Sequence, residues 1–91
     1  MEGTSVAHEL PELYRTVLER VASLELIGQR REGEAVRREA VRAYSRAWDD
    51  AARRRLTQLR LRAERVLDGH ERARATADPA DRTLLRRPDP A

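Results

Sequence analysis

Apolar residues recur at helical spacing along two stretches of the chain. In the first stretch they repeat every three or four residues, which predicts a helix over about residues 11–27. The repeating positions are Leu10, Tyr14, Val17, Val21 and Leu24. Pro11 suits the first turn of such a helix, where no backbone N–H is needed, and Gly28 predicts a left-handed stop after its end.

The second stretch is about twice as long. Residues 34–68 contain no proline and no glycine, and one side carries an apolar stripe with a period of about 3.7 residues. The stripe consists of Val41, Tyr44, Trp48, Ala52, Leu56, Leu59, Ala63 and Val66. This pattern predicts one nearly straight long helix over about residues 34–68 or beyond, ending between Asp68 and Ala77.

The two helices are joined by only about five residues, 29–33. Connections this short join antiparallel neighbours, so the sequence predicts an all-α fold, an unequal antiparallel helical hairpin over residues 10–77. The flanking segments, residues 1–9 and 78–91, are expected to be flexible, and Pro88 and Pro90 in the second of them support this expectation.

The unequal lengths of the helices predict self-association. At about 1.5 Å per residue the first helix spans about 25 Å and the second at least about 50 Å. The first helix therefore leaves four apolar residues uncovered, and a second copy would cover them in an antiparallel four-helix bundle. These residues are Leu56, Leu59, Val66 and Leu67. The predicted packing and dimer interface consists of Tyr44, Trp48, Ala52, Leu56, Leu59 and Val66.

Trp48 is the largest side chain in this stripe. Between Tyr44 and Ala52 it is expected to fill the core at the end of the first helix, and the alternative is an interface hot spot, a role in which tryptophan is enriched. Beside the stripe run Ala40, Ala43, Ala47 and Ala51, which would let another backbone approach closely. Alanine's preference for helices explains that row equally well.

The charge is uneven along the chain. All 19 basic residues are arginine, and residues 30–65 hold twelve of them against six acidic residues, whereas residues 1–29 carry a net charge of −3. A GC-rich bacterial genome accounts for arginine in place of lysine. Selection for bidentate contacts to carboxylate or phosphate is the other explanation.

Four arginines of the uncovered half of the long helix are predicted to bind a partner: Arg53, Arg54, Arg60 and Arg62. Three interpretations remain open for this part of the chain. It is a solvated surface, it meets an acidic protein surface that includes a second subunit, or it contacts nucleic-acid phosphates. The lack of interleaved aromatic residues and of a recognised DNA-reading turn disfavours the last interpretation.

The residues that carry chemistry in enzymes are scarce here. His8 and His70 are the only histidines, cysteine is absent, and no nucleophile lies at a suitable spacing from a base. Gly28 and Gly33 flank a turn between helices, which is not the strand-to-helix context of a phosphate-binding loop. The sequence predicts neither an enzyme nor a metal or cofactor site.

The predicted function is association. We expect a non-enzymatic protein–protein interaction module, a small dimeric adaptor or regulatory subunit whose arginines meet a larger acidic partner. The alternative is a sequence-independent nucleic-acid-binding protein that uses the same arginines. The C-terminal segment is a further candidate for a recognised peptide, through Leu84, Leu85, Arg86 and Arg87. No apolar run reaches the ~18 residues that span a bilayer and no signal peptide is visible, so a cytoplasmic location is expected.

Overall fold

The computed structural model describes residues 6–76, which form three packed α-helices: α1, Val6–Leu26; α2, Arg30–Arg46; and α3, Asp50–Thr76. All regular structure within this range is helical, which confirms the all-α part of the predicted fold. The sequence predicts flexible ends over residues 1–9 and 78–91. Residues 6–9 belong to α1, and the rest of that expectation, over residues 1–5 and 78–91, lies outside the described residues, as does the recognised peptide expected at residues 84–87.

Ion pairs between helices define how the three helices run. Residue numbers rise together in the pairs between α1 and α3, so these two helices are parallel. They change in opposite directions in the pairs between α2 and α3, so these two are antiparallel. The pairs between α1 and α3 are Glu9–Arg53 and Arg20–Glu64. Those between α2 and α3 are Glu32–Arg62 and Glu39–Arg55. The described chain is therefore an up-down-up three-helix bundle.

Helix α1 ends where the sequence predicts. Gly28 has a left-handed φ of 85°, and the N–H of Gln29 donates to the carbonyl of Leu24 at 2.8 Å while the N–H of Gly28 donates to that of Glu25 at 3.1 Å. These two bonds form a Schellman motif, which satisfies carbonyls that the end of a helix leaves free. The turn spans residues 27–29, so the expected turn over residues 29–33 is wrong for residues 30–33, which belong to α2.

The start of α1 differs from the prediction, because residues 6–9 are helical and Pro11 lies inside the helix. Proline at this position removes one backbone hydrogen bond from the helix. Tertiary contacts hold the extra turn in place: Val6 packs against the core, and Glu9 lies 3.6 Å from Arg53 of α3.

The prediction of one long helix over residues 34–68 is wrong. Helix α2 ends at Arg46, Ala47 is extended with φ −161° and ψ 150°, and α3 begins at Asp50. The physical reason is the direction of burial. Along one continuous helix Ala40 and Leu56, which are both buried, would point about 160° apart, since each residue turns the helix by about 100°. A break at residues 47–49 lets both halves bury these side chains in one core.

The core lies along the axis of the bundle and is supplied by all three helices. Its large members are Leu10, Val17, Val21, Leu24, Val36, Leu56 and Leu59. Leu56 and Leu59 are 0% and 1% exposed within a single chain, so the expectation that they need an outside cover is wrong. Fully burying a side chain of this size stabilises a fold by about 1.5–3 kcal/mol, and α1 and α2 now provide that burial.

Candidate functional site

Arg62, predicted to bind a partner, reaches from α3 to α2 within the same chain. Its Nε lies 2.6 Å from Oε2 of Glu32 and its Nη2 lies 3.2 Å from Oε1. The two N–H groups thus bind one carboxylate in the parallel geometry that favours arginine. The hydrogen bond from Arg62 lowers the pKa of Glu32, in spite of partial burial that acts in the opposite direction. The same bond raises the pKa of Arg62.

Arg60 is also engaged inside the bundle. Its Nη1 lies 3.2 Å from Oε1 of Glu64 one turn further along α3, and Arg20 of α1 donates to the other oxygen of the same carboxylate from Nε at 3.1 Å. The hydrogen bond from Arg20 is the main cause of a lowered pKa at Glu64, with Arg60 contributing its charge and a second hydrogen bond. Arg20 therefore links α1 to α3 through Glu64, whose second partner, Arg60, belongs to α3 itself.

The remaining two predicted arginines bind the start of α3. Arg53 and Arg54 donate to the two oxygens of Asp50, at 2.7 Å and 2.8 Å. Both pairs are largely exposed, and exposed pairs at this spacing contribute only a few tenths of a kcal/mol. All four predicted arginines thus have carboxylate partners within the chain.

The predicted interface residues separate into three groups. Ala52, Leu56 and Leu59 lie in the core of the single chain. Tyr44 and Val66 are half-buried. Trp48, in the connection between α2 and α3, is 47% exposed.

The expectation that Trp48 fills the core is therefore wrong. Its indole Nε1 donates to the carbonyl oxygen of Tyr44 at 2.8 Å, and this satisfies one of the carbonyls that the end of α2 leaves free. Its ring also packs on Tyr44 at 5.0 Å between centroids, and Tyr44 in turn stacks on Tyr14 of α1 at 4.1 Å. A hot-spot role for Trp48 stays a prediction.

The outer side of α2 carries a different set of arginines, which sequence reasoning missed. We call Arg31, Arg38, Arg42 and Arg46 the α2 arginine face. All four are exposed, and none makes a hydrogen bond or ion pair with another described residue. They occupy the side of α2 opposite to its buried residues Gly33, Val36 and Ala40. In the sequence these four arginines are separated by seven, four and four residues, a spacing that places them on one side of a helix.

A depression between α2 and α3 adjoins the end of this face. It consists of two neighbouring cavities of about 400 Å³ and 250 Å³. Small side chains line it, and charged side chains surround them. The alanines are Ala43, Ala47, Ala51 and Ala52, and the charged residues are Glu39, Arg42, Arg46, Asp49 and Arg55. We call this feature the alanine depression.

The acidic residues of the alanine depression already have partners. Glu39 accepts a hydrogen bond from Nη2 of Arg55 at 3.0 Å, and this bond is the largest cause of its lowered pKa, to which the charges of Arg42 and Arg38 add. Oδ1 of Asp49 accepts from the backbone N–H of Ala52 at 3.0 Å, as a helix N-cap does. The guanidinium groups of Arg42 and Arg46 make no hydrogen bond with a described residue, so they are available to bind a group of another molecule.

Residues 6–76 hold no group of three or more histidine, cysteine, aspartate or glutamate residues placed to bind a metal ion. Of the helices in the same range, none combines the length and apolar character needed to cross a membrane.

Comparison with known proteins finds no match for this chain among protein-family models, curated proteins or solved structures.

Proposed function

We propose that this protein is a non-enzymatic protein–protein interaction module that binds an acidic surface of a larger partner through the α2 arginine face. The observation that carries the proposal is the contrast in pairing. The four arginines on the outer side of α2 make no hydrogen bond or ion pair with residues 6–76, while Arg62 and Arg60 are bound by carboxylates of their own chain.

Like charges lie close together along the α2 arginine face, with Glu34 and Glu39 beside them. Arg38, Arg42 and Arg46 follow one another at intervals of four residues, and like charges at this spacing destabilise a helix by a few tenths of a kcal/mol per pair. Carboxylates of a partner would remove this repulsion and form charge-assisted hydrogen bonds, which are stronger than neutral ones. An adaptor or regulatory subunit would bind in this way.

The proposal takes a single chain as the binding unit. Leu56 and Leu59, two residues of the predicted dimer interface, are buried within one chain, which supports this choice. Light scattering of the purified protein is expected to give the mass of one chain.

Site-directed photocross-linking in the source cells tests the proposal. A cross-linking amino acid at Ser45, exposed beside Arg42 and Arg46, is expected to capture a protein with an acidic surface. The matched control places it at Gln58, an exposed position of α3. The adduct at Ser45 should disappear with Arg38→Gln/Arg42→Gln and persist with Arg65→Gln/Arg72→Gln, which changes the net charge equally. Adducts from Gln58 alone, or an adduct indifferent to Arg38→Gln/Arg42→Gln, would overturn the proposal.

The second candidate function is sequence-independent nucleic-acid binding by the same face. The observation in its favour is that Arg31 and Arg46 lie 15 residues apart on one side of a straight helix, a span of about 22 Å that reaches several successive phosphates. This candidate function predicts that the protein binds duplex DNA and that the binding weakens steeply as the salt concentration increases. Cross-links from Ser45 to nucleic acid, rather than to protein, would favour this candidate.

A further inference from the structure

We infer that the alanine depression is the binding site for an acidic segment of the partner, in which a carboxylate lies between Arg42 and Arg46 and a neighbouring apolar side chain fills the depression. The inference rests on the proposed function, because it takes the partner to be acidic. It goes further by naming where the partner binds and which chemistry beyond charge selects it.

The first step is the shape of the surface. Ala43, Ala51 and Ala52 line the larger cavity, of about 400 Å³, and such a volume falls within the range of ligand pockets in proteins. Because these positions carry only a methyl group, the space between α2 and α3 is left open near residues 47–49. An apolar side chain of a partner would fit against the alanine methyl groups and be removed from water there.

The second step is the arrangement of charge. Arg55 donates hydrogen bonds to Glu39 at 3.0 Å and to Gln58 at 3.5 Å. Its positive charge therefore offsets the negative charge of Glu39 in the depression. Asp49 is held by the backbone of Ala52. Arg42 and Arg46 project from successive turns of α2 into the same depression, and neither is bound by another described residue. A carboxylate that approaches the depression therefore meets two guanidinium groups that make no hydrogen bond with a described residue, although the charge of Arg42 also acts on Glu39.

The third step is the choice of occupant. Free phosphate or a nucleic-acid backbone would satisfy Arg42 and Arg46, but neither brings an apolar group for the space beside Ala43 and Ala51. An acidic peptide segment that also carries leucine or a similar residue supplies both parts. The combination of charge complementarity and an alanine-lined cavity thus favours a protein segment with adjacent acidic and apolar side chains.

The test uses two short labelled peptides of equal charge, one composed of glutamate and leucine and the other of glutamate and serine. Anisotropy titrations with the full chain are expected to show the leucine peptide binding at least about tenfold more tightly, since burial of one leucine contributes an effect of this order. Inorganic phosphate, added as a competitor, should displace neither peptide at millimolar concentration.

Two sets of variants separate shape from charge. Ala51→Leu fills the depression with an intrinsic side chain and keeps every arginine, so it should remove the preference for the leucine peptide; Ala47→Leu repeats the test from the connection. Arg42→Gln/Arg46→Gln should weaken both peptides by about tenfold or more, whereas Arg65→Gln/Arg72→Gln, two exposed arginines of α3, removes the same charge and should change binding less than twofold. Thermal melts followed by circular dichroism check that each variant remains folded.

The outcomes distinguish this inference from the proposed function. Equal binding of the two peptides, with Ala51→Leu silent and Arg42→Gln/Arg46→Gln weakening both, overturns the alanine depression as the site and leaves the α2 arginine face as the binding surface. Binding that is indifferent to Arg42→Gln/Arg46→Gln overturns both. Displacement of both peptides by phosphate alone also overturns the inference, because it shows an anion site without an apolar requirement.

Discussion

Helices α2 and α3 are both rich in arginine, yet they use it in different ways. Helix α3 buries large side chains such as Leu56 and Leu59, and its Arg62 reaches a carboxylate on a neighbouring helix. Helix α2 buries only Gly33, Val36 and Ala40 and carries its unengaged arginines on the outer side. A high density of arginine therefore does not identify a binding surface. Arg65, Arg72 and Arg74 of α3 are likewise exposed and make no ion pair with residues 6–76. What distinguishes α2 is that four such arginines share one side of the helix.

The largest effect is expected where α3 contributes to the core. Leu56→Ala should lower the free energy of unfolding by about 2–5 kcal/mol, because it removes a fully buried side chain and leaves a cavity. Val36→Ala in α2 removes fewer atoms and should cost less. Urea denaturation of the two variants measures the difference. A smaller loss for Leu56→Ala than for Val36→Ala would contradict the assignment of the larger core contribution to α3.

A smaller effect is expected from the ion pair between the two helices. Arg62→Gln should lower the free energy of unfolding by about 1 kcal/mol, a figure reduced for the partial exposure of both side chains. Arg54→Gln, which removes a pair that is 65% and 54% exposed, is the matched control and should cost less than about 0.5 kcal/mol. Equal losses of unfolding free energy in the two variants would show that the Glu32–Arg62 pair contributes no more stability than an exposed pair.

The same pair makes a prediction about pH. The pKa of Glu32 is lowered in the folded chain by the hydrogen bond from Arg62. The stability from this pair is therefore fully present above the ordinary glutamate pKa of about 4.3 and is lost as the pH falls through the lowered value. Arg62→Gln should flatten the decline of melting temperature below about pH 4.3. A decline as steep as that of the wild type would contradict this role.

Glycine provides a test of how α2 packs on α1. A Cβ at Gly33 would lie 3.4 Å from the carbonyl oxygen of Val21 and 3.5 Å from Cγ of Glu25, which is ordinary contact. Gly33→Ala should raise the free energy of unfolding by about 0.5–1 kcal/mol, since alanine favours the helix. Gly28→Ala should lower it, because φ is 85° there. If Gly33→Ala lowers the free energy of unfolding instead, α1 and α2 pack too closely at Gly33 to accept a methyl group.

The smallest effect is expected on the outer side of α2. Arg42→Gln should change the free energy of unfolding by less than about 0.5 kcal/mol, because the side chain is exposed and makes no ion pair with residues 6–76. Thermal unfolding measures this value. A loss as large as that of Arg62→Gln would show that Arg42 has a structural role, and it would remove the contrast between the two helices.

Parts of this architecture were predictable from local signals. The four buried positions of α1 belong to the apolar repeat read from the sequence, and Gly28 ends the helix through its backbone conformation. Ala52, Leu56 and Leu59 share one side of α3 as the stripe predicts. These features depend on helical periodicity and on the special freedom of glycine, which act over a few residues.

The break between α2 and α3 could not be read in the same way. Ala47, Trp48 and Asp49 are all compatible with a continuous helix, and no proline or glycine separates them. The stripe through Val41 and Trp48, both exposed in the structure, suggested one apolar side. The buried residues of α2 lie on another side of the helix, so the stripe gave the wrong burial direction. The predictions of one long helix and of uncovered leucines followed from that direction.

The amino-acid sequence by itself determined that the described part of the chain is helical, where α1 ends and which side of α3 is apolar. These features depend on the spacing of near neighbours along the chain. Only the tertiary structure decided that α3 folds back, that Glu32 meets Arg62 thirty residues away, and that Arg42 and Arg46 remain without a carboxylate. The reason is that burial and charge pairing depend on distances in space, and the same arginine is bound or unengaged according to which helix lies beside it.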